Sequence, residues 1–223
     1  MDFQLTEQQQ FIKKEVATLA RSFSLDYWLE RDKKAEYPWE FVKAFAGGGW
    51  LGAIIPEPYG GSGLGVTEAA LMLHEICAAG AGTSGASPIH FYMFPPMPVI
   101  KHGSEALKQH YLPRIATGEI VMSFGVTEPN AGTDTSRIET RAERRGDRYV
   151  VNGRKVWTTN AQEATHMLLL ARTSPRDPAK PFQGLTLFFT PFDRQRISVR
   201  IIDKLGRAAV DSNEIFIDGL EVP

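Results

Sequence analysis

Phe124-Gly125-Val126-Thr127-Glu128-Pro129-Asn130-Ala131-Gly132-Thr133-Asp134 is where the chain changes its period. Phe124 and Val126 alternate with Gly125 and Thr127 as a half-buried strand does. Glu128-Pro129-Asn130 then turns the backbone, since Pro presets φ and Asn tolerates left-handed geometry. In Ala131-Gly132-Thr133-Asp134, a residue without Cβ lets the backbone approach a ligand, and successive N–H groups beside a hydroxyl can donate to phosphate oxygens. Read without its surroundings, the same composition describes an ordinary capped β-turn.

Upstream of this stretch the apolar residues recur at helical spacing. Leu5, Ile12, Val16, Leu19 and Phe23, with Thr6 and Gln9 as a capping box, predict an amphipathic helix over 6–24. Pro38 stands at a first helical position, Phe41, Val42 and Phe45 follow on one face, and Gly47-Gly48-Gly49 ends that helix. A third helix is expected over 67–79, stopping at Gly80, and a fourth from Ser104 through Tyr111, closed by Pro113 and Gly118. Gly60-Gly61-Ser62-Gly63-Leu64-Gly65 lacks both the strand–helix frame of a dinucleotide loop and the Gly-Lys-Ser/Thr of a P-loop, and reads as a structural connection.

After Glu119 the period becomes two. Segments 120–126, 137–144, 148–151, 154–159, 167–172, 185–190, 197–202 and 214–217 have strand length and are separated by turn residues. Helices followed by strands, without alternation, give an α+β class: an all-α domain over 1–118 and a small barrel-like β domain over 119–223, the barrel being one way to avoid exposed edges. Asn152-Gly153 predicts a two-residue hairpin turn. That register sets Val151 against Arg154 and Tyr149 against Val156, and puts Trp157 and Thr159 on one face with Arg148 and Val150 across from them. Residues 173–181, with three prolines, predict a flexible loop.

The chain has 223 residues, 43% of them hydrophobic, with a formal net charge of −1. It offers no electrostatic footprint for nucleic acid or an anionic membrane. Cys77, the single cysteine, excludes a disulfide framework and a thiolate zinc cluster, and no metal site is expected. Met1-Asp2-Phe3-Gln4-Leu5-Thr6-Glu7 has neither a basic nor an apolar leader, and no run approaches a spanning helix, so a cytoplasmic protein is expected.

The segment Thr127-Glu128-Pro129-Asn130-Ala131-Gly132-Thr133-Asp134, followed by Asn152-Gly153-Arg154-Lys155-Val156-Trp157-Thr158-Thr159-Asn160, resembles the acyl-CoA dehydrogenase flavoproteins. Pro56-Glu57-Pro58-Tyr59-Gly60-Gly61 and Lys204-Leu205-Gly206 are also similar to segments of that family. The resemblance spans essentially the whole chain but covers the first two of the family's three domains, with the C-terminal helical bundle absent. It implies FAD lying between the β domain and helices, an acyl-CoA substrate, an electron-transfer acceptor, a place in fatty acid metabolism, and an oligomer.

Carried over position by position, the resemblance puts Phe124, Val126 and Thr127 at the isoalloxazine, with Thr127 donating near its N1 and O2. Gly132 and Thr133 meet the pyrophosphate, and Trp157, Thr158 and Thr159 sit on the dimethylbenzene and N5 side. Thr133, where the family more often has Ser, also faces the CoA. Ser87, His90, Phe91 and Phe94 are the acyl-pocket candidates, in a segment that Pro95-Pro96-Met97-Pro98 should break. The family's α-proton base is a glutamate of its C-terminal domain, so no catalytic residue is assigned here; Glu128 and Asp134 read as turn residues. The expectation is a chain needing a partner or a further helical half to complete its site. An acyl-CoA oxidase, a flavin monooxygenase, or a non-catalytic binding subunit stand as alternatives.

Overall fold

The computed structural model describes residues 4–223, so Met1, Asp2 and Phe3 of the leader reading lie outside the described residues. They form two compact units. One comprises residues 4–121 with Lys204–Val210, and the other Met122–Asp203 with Asp211–Pro223.

In the helical unit, the Thr6 hydroxyl accepts from the Gln9 N–H and the Gln9 side chain returns a bond to the Thr6 N–H, which opens α1 (Glu7–Arg21) as the capping box predicts. Ile12, Val16 and Ala20 bury one stripe of α1. The helix also ties to α4 (Val66–Ile76) through Gln9 Nε2 to Glu68 Oε1 at 2.8 Å and Lys13 to Glu75 at 3.2 Å. Between them lie α2 (Leu25–Lys34) and α3 (Trp39–Gly47). α2 is not among the helices expected from the sequence: Leu25, Trp28 and Leu29 stand at helical spacing in this short helix, but only Trp28 is buried.

Pro38 is the N-cap of α3 rather than its first helical residue. Phe41 and Phe45 from α3, Met72 and Ile76 from α4, and Leu112 and Ile115 from α7 (Glu105–Ala116) are completely buried. α7 continues beyond Tyr111 with Pro113 inside it. Pro95 and Pro96 separate α5 (Gly82–His90) from α6 (Met97–His102), and Pro98 is tolerated within the first turn of α6. The glycine run 60–65 behaves as a connection, for the Ser62, Gly63 and Leu64 N–H groups donate to the Gly52, Ile55 and Ala53 carbonyls. A Cβ on Gly61 would lie 1.9 Å from the Ile55 oxygen.

The second unit is a curled mixed sheet, a half-barrel, of β1 (Met122–Gly125), β2 (Arg141–Arg145), β3 (Arg148–Thr159), β4 (His166–Arg172), β5 (Leu185–Pro191), β6 (Ile197–Ile201) and β7 (Ser212–Val222). Its order is β1-β4-β2-β3-β7-β6, with β5 on β4. β4 runs parallel to β1 and β2; every other pairing is antiparallel. Val151, Met167, Leu169, Ala171, Ile215 and Ile217 are among the residues of its core, with Tyr149 and Val199 packed against it.

The Asn152-Gly153 hairpin is corrected. β3 runs unbroken through both residues, and the chain reverses at Gly146-Asp147, with Arg145 paired to Arg148 and Gly146 at φ +65°. Val151 therefore faces Ala142, and Tyr149 faces Arg144. Both dipeptides can turn a strand; β7 decides between them, because it pairs with β3 on both sides of Asn152 and needs a continuous partner. The pairing bulges at this level on the β7 side, where Asp218 and Gly219 stand against Asn152 alone. The Asn152 side-chain oxygen accepts from the Gly219 N–H at 2.8 Å, and a Cβ on Gly153 would stand 2.7 Å from Thr140 Cα. Gly153→Ala should accordingly lower stability by about 1–3 kcal/mol through overpacking. Gly132→Ala, where a Cβ meets nothing within 4 Å, should stay within about 0.5 kcal/mol of the parent in urea unfolding.

Candidate functional site

The loop that follows β1 is fixed from inside the sheet unit. Glu128 and Ala131 exchange both backbone hydrogen bonds at 3.1 Å, closing a tight turn with Pro129 and Asn130 exposed at its tip. The Glu128 carboxylate points the other way, into the protein, and is 5% exposed. It accepts from the Glu139 N–H at 2.7 Å, the Thr140 N–H at 2.9 Å and the Lys155 ammonium at 2.8 Å. Lys155 has no exposed side-chain surface, and its Nζ also donates to the Val126 carbonyl at 3.0 Å. One carboxylate and one ammonium thus join β1's extension, the entry to β2 and the middle of β3.

Burial alone would raise the Glu128 pKa, but the Lys155 charge and the Thr140 and Glu139 donors outweigh it and hold the carboxyl below its ordinary range. Burial lowers the Lys155 ammonium, and Glu128 restores part of that loss. Each member is tolerable inside the sheet because the other is there.

The cofactor candidates fall around this pair. The Val156 N–H donates to the Thr127 carbonyl at 2.9 Å, which sets Val126-Thr127 beside Val156-Trp157. Beyond Lys155, β3 has one more residue than β7, since Lys155 pairs with Ile215 and Thr158 with Asn213. In that bulge Trp157 adopts φ +61°, a left-handed backbone that a bulky residue seldom takes, and its indole is 60% exposed. Trp157 and Thr159 are therefore not simply one pleat apart on a regular face, as the expected register had them.

Phe124, Val126, Thr127 and Thr159 are half-buried, and Gly132 and Thr133 are exposed beyond the turn. Thr158 is wholly buried with its hydroxyl unpartnered, so its side chain lies inward of the bulge. Asp134 caps the short turn Thr135–Arg137 through Ser136, whose hydroxyl donates to its carboxylate at 2.6 Å. An exposed indole held in a costly backbone, beside a threonine and a loop with open space at its glycine, fits a planar ring carrying a phosphate tail.

The acyl candidates form a separate cluster in the helical unit. Ser87, His90, Phe91 and Phe94 are spaced along one face of α5 and the turn after it. His90 stacks on Phe94 with centroids 4.5 Å apart, and burial lowers its pKa, favouring the neutral ring. Ser87 accepts from Arg207 at 2.6 Å. Arg207 lies in the Lys204–Val210 segment that belongs to this unit although it interrupts the strands in sequence.

The comparison with known proteins follows this architecture. The family model for the N-terminal domain of acyl-CoA dehydrogenases matches residues 6–119, and that for the middle domain residues 123–220. The chain belongs to the acyl-CoA dehydrogenase family. It is 32% identical, over 226 residues, to the glutaryl-CoA dehydrogenase of Desulfococcus multivorans, spanning all of this chain and 57% of that protein. The structure of a glutaryl-coenzyme A dehydrogenase in complex with glutaryl-CoA superposes with a TM-score of 0.91 at 31% identity, covering all of this chain and 56% of the other. The FAD complex of PigA gives 0.91 at 25% identity, again over 100% of this chain and 58% of the other. The chain thus spans a little over half the length of the relatives it matches. Among the described residues no helix is long and apolar enough to cross a membrane, and no group of metal-ligating side chains gathers.

The Glu128–Lys155 pair is the feature of this site that the sequence reading missed. Both residues stood in the two resembling segments, but nothing in a one-dimensional pattern pairs them. Lys155→Met should destabilise the chain by about 3–5 kcal/mol, with Lys155→Met/Glu128→Gln less damaged than Lys155→Met alone. The lowered carboxyl adds stability that is present above the ordinary glutamate range and lost as pH falls through the folded value. Thermal melts in acid should therefore drop more steeply for the parent than for Glu128→Gln, which starts lower at neutral pH.

Proposed function

We propose that this chain is the flavin-holding portion of an FAD-dependent acyl-CoA dehydrogenase, which removes hydrogens from the α and β carbons of an acyl-CoA thioester. The observation that carries this reading is the Val156–Thr127 backbone bond with the exposed, left-handed Trp157 beside it. It joins the two motif segments into one surface. Bound there, the flavin supplies the acceptor for the hydride.

In this reading the chain's own residues bind and orient. Trp157 gives the ring an apolar wall, and the half-buried Thr127 hydroxyl lies within the same surface to meet the ring's polar edge. Phe124 and Val126 limit water on that side. Gly132 and Thr133 take the pyrophosphate, where the missing Cβ and the hydroxyl suit phosphate oxygens. Thr158 contributes through its backbone position, and Thr159 through the last pair of β3. Thr133 also faces the CoA, and Ser87, His90, Phe91 and Phe94 line the acyl end with a neutral imidazole and aromatic rings.

Glu128 and Asp134 are not assigned proton abstraction. Glu128 is committed to Lys155 and two backbone donors, and Asp134 to Ser136. A base needs a carboxylate free to meet the substrate with a raised pKa, and both of these are lowered. The α-proton is assigned to a glutamate of the helical domain that the family has beyond its middle domain. That domain, on the same or another polypeptide, and an electron-accepting protein are the proposed partners. Domain limits of 1–118 and 119–223 are kept as functional divisions, and action in the cytoplasm within fatty acid metabolism belongs to the same proposal.

Replacing Trp157 with Ala or Thr133 with Val should weaken FAD binding by about tenfold, or about 1.4 kcal/mol, with the circular dichroism unchanged. Flavin fluorescence titration measures this. Unchanged affinity in both variants would remove the assignment.

A further inference from the structure

The accessible side of α5 is graded in polarity. Gly85, Ala86, Pro88 and Ile89 are buried, whereas Ser87 and His90, with Phe94 in the turn that follows, are half-exposed along one stripe. The Phe94 end is aromatic, with His90 stacked on it and kept neutral by burial. The Ser87 end meets a guanidinium, for Arg207 Nη1 donates to the Ser87 hydroxyl oxygen at 2.6 Å.

Arg207 is placed there at a cost. Its backbone is left-handed, at φ +60°, a conformation that glycine takes freely and arginine does not. Its neighbours impose it. The Lys204 ammonium donates to the Arg207 carbonyl at 3.0 Å and also to the Val210 carbonyl. The Val210 N–H donates to the same Arg207 carbonyl at 3.2 Å, and the Asp32 carboxylate of α2 accepts from the Ala209 N–H at 3.2 Å. None of these bonds uses the Arg207 side chain, so the turn would stand with glycine at this position. Backbone strain of this kind gathers where a particular side chain is needed.

What Arg207 adds is a charge. A guanidinium stays protonated across the physiological range and presents its donors in a planar fork that matches a carboxylate. An alkyl chain ending at Ser87 would cover that charge and hydroxyl without offering an acceptor, and desolvating polar groups without replacing their hydrogen bonds is unfavourable. An acyl chain ending in a carboxylate supplies the acceptor. Sites built on hydrogen-bonding groups discriminate strongly against ligands that lack the matching group.

We propose that Arg207, with Ser87, recognises a terminal carboxylate on the acyl group, so that the ligand is the CoA thioester of a dicarboxylic acid. This names the substrate class for the acyl end assigned above and rests on that assignment.

The test is calorimetric titration of the 223-residue chain with free CoA and with thioesters matched in carbon number: succinyl-CoA against butyryl-CoA, and adipyl-CoA against hexanoyl-CoA. Each pair shares its CoA, so contacts to that moiety cancel. At least one dicarboxylic thioester should bind about tenfold more tightly than its partner, with the preference gone in Arg207→Gly and reduced in Arg207→Lys. Glycine relieves the left-handed strain, which offsets the lost Ser87 bond, so Arg207→Gly should melt close to the parent. Ser87→Ala, which should shrink the preference, is a second variant should the first unfold. Equal affinity within both pairs, or a preference that Arg207→Gly leaves intact, would overturn the proposal while leaving the acyl-CoA reading in place. Loss of free CoA binding in Arg207→Gly, to the same extent as the thioesters, would also overturn it, by assigning the guanidinium to the CoA moiety. Absence of binding by CoA and every thioester would remove the acyl-CoA reading and the proposal with it.

Discussion

A lysine and a glutamate buried against each other hold the sheet unit's ligand loop in place. Lys155 has no exposed side-chain surface, so its ammonium needs acceptors from within the protein, and it finds them in Glu128 and the Val126 carbonyl. Glu128 in turn accepts the first backbone donors of the segment entering β2. Removing either charge would strand the other, which is why such pairs, costly to assemble, are difficult to dismantle. The pair fixes a loop whose tip, Pro129-Asn130, and the following Gly132-Thr133 are exposed, and an anchored turn with an open flank is what a binding loop needs.

Strain is gathered next to that anchor. Trp157 and Asn160 both take positive φ, and the bulge between Lys155 and Thr158 sits directly beyond the buried lysine. Asn160 is secured by donating to the Met122 carbonyl at 3.1 Å, which clamps the end of β3 to the start of β1. A left-handed tryptophan costs free energy and persists because the strands on either side are over-determined by β7 and β1. The same fixed backbone turns the indole outward.

The sheet unit carries two kinds of buried cation. Lys155 is neutralised by a carboxylate, whereas Arg172 is solvated by the Ser136, Ile138, Gln183 and Pro181 carbonyls and keeps its charge. A planar guanidinium can be satisfied by several carbonyls at once, so arginine tolerates this arrangement better than an ammonium does. The first device makes the loop rigid, and the second gives the unit a local positive field that the whole chain's formal net charge of −1 conceals.

The sequence by itself determined the order of helices before strands, the capping box at Thr6, the break at the prolines after Phe94 and the two motif segments, because each rests on contacts between near neighbours or on a resemblance carried by consecutive residues. It also indicated that the glycine run at 60–65 was not a nucleotide loop. Only the tertiary structure decided which glycine turned the hairpin. Gly146-Asp147 and Asn152-Gly153 are equally able to do so locally, and the pairing of β7 along all of β3 chose the first. The pairing of Glu128 with Lys155, the outward Trp157 and the meeting of Arg207 with Ser87 likewise depend on residues far apart in the chain. Such contacts are set by strand register and burial, and no local pattern encodes either.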